Sequence, residues 1–204
     1  HFGDRNLHAG FFEDQQYHGA FQVSLAPILP GSRIETAVVE LVGLSGENMG
    51  AEGTWSLKLL DAAEDANWPS ATYERIHSAK VQDTIDRPLT PKDLAPRKVN
   101  VFKFSPEQAQ ALERRLENKV VSFRLDGPSD GGKNLFTWDT GYGGGFGARP
   151  VLRVVYQPPP TLTPVVITVT PAPQNLVTAA ALVVQATAFA REFGTPTPFP
   201  TNVV

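Results

Sequence analysis

The charges all but stop at residue 156. The chain carries 18 Lys and Arg and 21 Asp and Glu, and 37 of these 39 residues precede Gln157; only Arg191 and Glu192 follow. Sixteen of the 17 glycines and all three tryptophans also lie ahead of it, while nine of the 18 prolines fall in the last 48 residues. A shift in three residue classes at one point predicts a globular domain over 1–156 and a weakly charged, extended tail after it. Within the tail, 157–173 reads as a Pro/Thr/Val-rich linker or donor strand, 174–193 as an apolar Ala-rich helix, and 194–204 as a Pro/Thr-rich end.

The domain has length enough for a real core. With no cysteine, disulfides, thiolate metal sites and cysteine nucleophiles are excluded. A net charge of −3 argues against nucleic acid as a partner. The chain opens on His1 and has one methionine, and is read as a processed or excised chain.

Period-two alternation predicts strands at Ala20–Leu25, Arg33–Leu44, Thr54–Asp61, Val99–Phe104, Val120–Leu125 and Val151–Tyr156. Pro30-Gly31, Gly46–Asn48, Asp126-Gly127-Pro128 and Gly141–Gly147 punctuate them, and "GLSGEN" at Gly43–Asn48 reads as a turn. Many short strands between such turns predict a mainly β fold, an antiparallel β-sandwich of jelly-roll type. One internal helix is signalled: Ser105 as N-cap, Pro106 at the first position, Gln108 closing a capping box, and Glu107–Asn118 as the body. Residues 61–76 read as an irregular helix or loop.

The order of segments carries a resemblance. "GAFQVSLAPILPGSRIETAVVELVGL" holds a Pro30-Gly31 turn into Ile34-Glu35-Thr36-Ala37. A crossover from Trp68 to Tyr73 follows, then "VNVFKFSPEQAQALERRLENKVVSFRL", then a closing strand Pro150–Tyr156. Over residues 5–156 this resembles the DNRLRE-type domain of secreted bacterial proteins, a β-sandwich related to carbohydrate-binding modules. The resemblance implies a further strand ahead of the first loop. Here "HFGDRNLHAGFF" matches that loop and the second strand, so the first strand is expected to be absent from this chain, leaving an open groove and a strand edge. The tail resembles, in composition, Pro/Thr-punctuated repeats on surface proteins of Chloroflexota-type bacteria.

In the tail, Val165, Ile167 and Val169 alternate with Val166, Thr168 and Thr170. The helix that follows is apolar nearly all round, through Leu176, Leu182, Val183 and Phe189, and the chain ends on Phe199 to Val203 and Val204. Such a helix must be buried. It can pack between copies, pack on its own domain, or insert in a membrane; polar Thr and Gln and the lack of a basic flank weigh against the last.

No histidine pair has zinc spacing, no G-x-S-x-G elbow exists, and no Lys-Ser/Thr follows Gly141–Gly147. His8 and His18 read as ordinary surface or edge residues. Asp126, Asp130 and Asp139 flank a glycine-rich stretch where carboxylates could hold a structural calcium ion; no other cofactor is implied. Sugar rings stack on exposed aromatics, which makes Trp68, Trp138 and Tyr142 candidates, while Trp55 in its alternating strand reads as core. The sequence thus predicts a non-enzymatic structural subunit of an extracellular or cell-surface assembly. Copies of itself are its partner, joined when a tail strand, Val165–Thr170 or Phe199–Val204, completes a neighbouring sandwich. The alternative is a glycan-binding module on a Pro/Thr-rich stalk.

Overall fold

A computed structural model describes residues 6–47, 49–66, 68, 71–130, 134–142 and 145–160. The chain divides into His1–Pro160 and Thr161–Val204, close to the compositional break. The expected tail strand, apolar helix and Pro/Thr end all fall outside the described residues.

Among the described residues ten strands form two antiparallel sheets. β1 (Asn6–Phe12), β2 (Gln15–Tyr17), β4 (Arg33–Glu47), β7 (Val99–Lys103), β9 (Asn134–Asp139) and β10 (Val151–Gln157) make the first. Its order is β10-β4-β9-β1-β2, with β7 also on β4. β3 (Gly19–Ser24), β5 (Trp55–Leu60), β6 (Val81–Leu89) and β8 (Val120–Asp126) make the second, in the order β3-β8-β5-β6. The fold is mainly β and sandwich-like, with short helices α1 (Tyr73–Ser78) and α2 (Pro106–Glu113).

The alternation seen in the sequence builds the core between the sheets. Val39 and Leu41 from β4, Trp55, Leu57 and Leu59 from β5, and Val121, Phe123 and Leu125 from β8 are fully buried. Each large apolar side chain removed from water this way contributes roughly 2–3 kcal/mol. Phe136 meets Trp138 edge-on at 4.7 Å between ring centroids. Trp55 donates its indole N–H to the Ala9 carbonyl at 2.8 Å, tying the two sheets together.

β4 carries most of the first sheet. β10 pairs along residues 33–40, β9 along 43–47 and β7 along 38–42. Gly43 is bonded on both sides: it exchanges N–H and C=O with Lys98 and Arg97 on one edge and faces Trp138 on the other. β9 and β10 therefore lie in line on the same side of β4, with residues 140–150 as an excursion between them. The expected turn at Gly43–Asn48 is thus strand as far as Glu47. Glycine here serves close approach, not turning: a Cβ on Gly43 would lie 2.2 Å from the Ala95 carbonyl oxygen.

Both capping partners predicted for α2 are in place. Ser105 Oγ accepts from the Gln108 N–H, and Gln108 Oε1 accepts from the Ser105 N–H at 2.9 Å. The helix ends earlier than expected, at Glu113. Beyond it Arg115 is drawn inside, donating to the Leu60 carbonyl, to Gln82 at 2.6 Å and to Asp65 at 3.4 Å. Lys119, at φ +60°, closes the segment. α2 joins the sheets: Glu113 accepts from the Ile34 N–H at 2.7 Å, and Gln108 donates to Asp83 at 2.8 Å.

The 61–80 crossover contains a short 3-10 turn (Ala62–Asp65) and α1. It covers the outer side of β8, which is why Ser122 and Arg124 are buried although they alternate with the core residues. Gln22 bridges them, donating to Ser122 Oγ at 3.1 Å and to the Asp65 carbonyl at 3.0 Å.

Candidate functional site

A connected group of polar side chains sits where α1 crosses β8. Gly19 of β3 pairs with Leu125 of β8, so the next step along each chain sets His18 beside Asp126. His18 Nδ1 lies 2.9 Å from Asp126 Oδ1, and His18 Nε2 lies 2.9 Å from His77 Nδ1 on α1. Tyr73, one turn earlier on α1, stacks on His77 with 5.6 Å between centroids and 16° between planes. Tyr73 and His77 are exposed; the His18 side chain is 5% exposed.

Arg124 holds the group together. Its guanidinium grips both oxygens of Asp126, at 2.7 and 3.0 Å. Its other nitrogen donates to the carbonyls of Ile76 at 2.7 Å and His77 at 2.8 Å, capping the carbonyl end of α1. Burial works to raise the pKa of Asp126, but the hydrogen bonds from His18 and Arg124 outweigh it and hold the carboxyl below its ordinary value. An ionised Asp126 accepts, so neutral His18 carries its proton on Nδ1. Its bare Nε2 then accepts from His77 Nδ1–H, which leaves His77 Nε2 as the outer acceptor. The chain Asp126–His18–His77 can pass a proton inward from the surface. In this chain the second imidazole, His77, is the partner of His18 Nε2.

Sequence spacing gave no hint of this cluster. His18, His77 and Asp126 are joined by strand register and by the packing of a six-residue helix, neither of which leaves a local motif. His18, expected to be an ordinary edge residue, is its centre.

The carboxylates considered for calcium do not converge. Asp126 is occupied by Arg124 and His18. Asp139 is fully buried and accepts the N–H of Gly141 at 2.8 Å and of Ala148 at 3.0 Å. Burial pushes its pKa up, yet these amide donors and those of Phe146 and Gly147 bring it below the ordinary value. Asp130 is exposed. Among the described residues no group of three or more His, Cys, Asp or Glu is placed to hold a metal ion.

Of the aromatics considered for glycans, Trp138 is fully buried with its N–H on Asn100 Oδ1 at 2.9 Å, so no face is left for a sugar. Trp68 is half-buried. Tyr142 is 70% exposed, and Arg149 lies over its ring at 5.0 Å; Arg97 sits in the same way over Phe146 at 4.7 Å. Both aromatic rings of the glycine-rich excursion thus face cations. Trp55 is core, as expected.

The residues assigned to subunit contacts, Val165, Val166, Ile167, Val169, Leu176, Leu182, Val183, Phe189, Phe199, Val203 and Val204, lie outside the described residues. Among the described residues no helix is long and apolar enough to cross a membrane. No family model matches this chain, and no curated protein matches it.

Proposed function

We propose that this chain is a structural subunit of an extracellular bacterial surface assembly, polymerising through its tail. One observation carries the reading. The body ends in β10, a strand on which Val151, Val155 and Tyr156 are 37%, 56% and 38% exposed, and the apolar, nearly uncharged tail follows directly. Exposed apolar strand residues are normally guarded by charge or covered by a partner. In the sequence they are followed by a segment that is itself rich in β-branched residues.

The resemblance to DNRLRE-type sandwiches supports a secreted setting, and a cysteine-free scaffold would draw its durability from packing and from contacts between copies. A head-to-tail contact that does not close on itself makes a filament. Negative-stain electron microscopy and sedimentation of the full chain test the proposal. Filaments, sheaths or concentration-dependent polymers are expected; a monodisperse monomer at all concentrations would overturn it.

A further inference from the structure

Resting on that self-assembly, we infer that the acceptor site is the outer edge of β10, and that its occupant is segment 165–170 of a second copy. Among the described residues β10 pairs with β4 alone. Its place in the sheet shows which row lies beside it. β9 runs in line with β10 along β4 and has β1 on its far side, in a register that begins with Asn6 opposite Asp139. The described part of β1 therefore stops where β10 begins, and the row it occupies beside β9 is not continued by any described residue beside β10.

The side chains of β10 show the same gap. Leu152 and Val154 point toward the core and pack against it, yet both are only half-buried. Val151 and Val155 lie on the opposite face, where Val151 aligns with Glu40 and, across β4, with exposed Val101. A strand added at this edge needs an apolar side toward Leu152 and Val154 and a mixed side outward. Segment 165–170 has that pattern: Val165, Ile167 and Val169 on one side, Val166, Thr168 and Thr170 on the other. Six extended residues span about 20 Å, the length of a strand such as β10. Main-chain pairing gives this kind of joint its affinity and the alternate side chains its register.

The exit path of the chain favours a second copy over the chain's own tail. β10 ends with Gln157 opposite Arg33, and Pro159 then lies beside Gly31, its Cβ 3.6 Å from where a Gly31 Cβ would be. The chain thus leaves the sheet along the β10 direction, past the turn that precedes β4. Pro158, Pro159 and Pro160 favour an extended course of about 3.1 Å per residue, which disfavours a tight reversal at these three residues.

The absence of native cysteine makes the test direct. Single-cysteine full-length chains are prepared in two sets: Val151→Cys, Arg153→Cys or Val155→Cys on the outward side of β10, and Val166→Cys, Thr168→Cys or Thr170→Cys on the outward side of the segment. Facing residues of paired strands bring Cβ atoms close enough for a disulfide. Mixing one chain from each set under mild oxidation is expected to give a cross-set dimer several-fold in excess of same-set dimers, for a subset of pairs that defines one register. Polymers in the microscope without any cross-set excess overturn this inference and leave the assembly reading standing. Absence of polymers overturns both. A double variant that cross-links within one chain shows the edge taken by its own tail, and a cross-link from β10 to a cysteine placed in residues 1–5 shows it taken from the amino end; either result also overturns the inference.

Discussion

His18 Nε2 and His77 Nδ1 are 2.9 Å apart, and with Asp126 on the far side of His18 this one contact fixes the tautomer of both rings. In the neutral pair His18 carries its proton on Nδ1, and so does His77. Nitrogen-detected NMR of the imidazoles is expected to show both in that form. A His77 ring protonated on Nε2 at neutral pH would contradict the relay, because its Nδ1 would then have no proton to give. His77→Phe keeps a ring for Tyr73 to stack on and removes the donor to His18 Nε2, so the His18 Nε2 resonance is expected to shift while Nδ1 keeps its proton on Asp126.

Arg124 neutralises Asp126 and caps α1 together, so its loss has two costs. Arg124→Met leaves a mostly buried carboxylate without its main partner, and should destabilise the body by about 3–5 kcal/mol in urea unfolding. The acid limb follows from the Asp126 shift. Its folded pKa is lowered, so its contribution is complete above the ordinary Asp value near 4 and is lost as pH falls through the folded value. Asp126→Asn is expected to flatten the stability profile in that acid window, measured against the wild-type chain by unfolding at successive pH values.

Asp139 and Gly145 define how the 140–150 excursion is held. A Cβ on Gly145 would come within 2.5 to 2.7 Å of the Asp139 carboxyl atoms. Asp139→Ala leaves buried amide donors unmet and should cost about 1–3 kcal/mol. Gly145→Ala should evict the carboxylate while leaving β9 and β10 paired. Both are expected to speed hydrogen exchange at Gly141 and Ala148 and to open the excursion to limited proteolysis. Unchanged exchange in both would mean that the carboxylate does not pin the loop.

Gly43→Ala sets a methyl against the Ala95 carbonyl at the strand where three partners meet. A loss of about 1–3 kcal/mol is expected, read as a lower thermal midpoint. Gly46→Ala provides the comparison, because there the nearest atom is the flexible Met49 Cγ at 2.5 Å, and a smaller loss is expected.

The strands that alternate were legible in the sequence, and so was the capped helix. Trp55, Leu57 and Leu59 could be placed in the core because Ser56 and Lys58 separate them. β9 was hidden by its depth: all six residues of "NLFTWD" are buried, so no exposed face marks the period, and its last residue, Asp139, reads with Asp126 and Asp130 as a possible calcium ligand. β6 was hidden for the opposite reason. It is an edge strand with only Ile85 and Leu89 buried; Asp86 is at φ +60° and Pro88 is tolerated there because its second side needs no ladder. The relay was invisible because His18 meets Asp126 through strand register, across 108 residues of chain.

The three strands that ladder onto β4 all come later in the chain, and β10 comes last. Pairing Val151 with Glu40 closes a very long loop, which is slow and entropically costly to form. The central strand therefore stays open on one side until nearly the whole body has been made. Fragments ending before residue 151 are expected to lack a stable sandwich altogether, so the body can be shortened from this end only by losing its cooperativity, and its fold is committed by the very strand from which the tail departs.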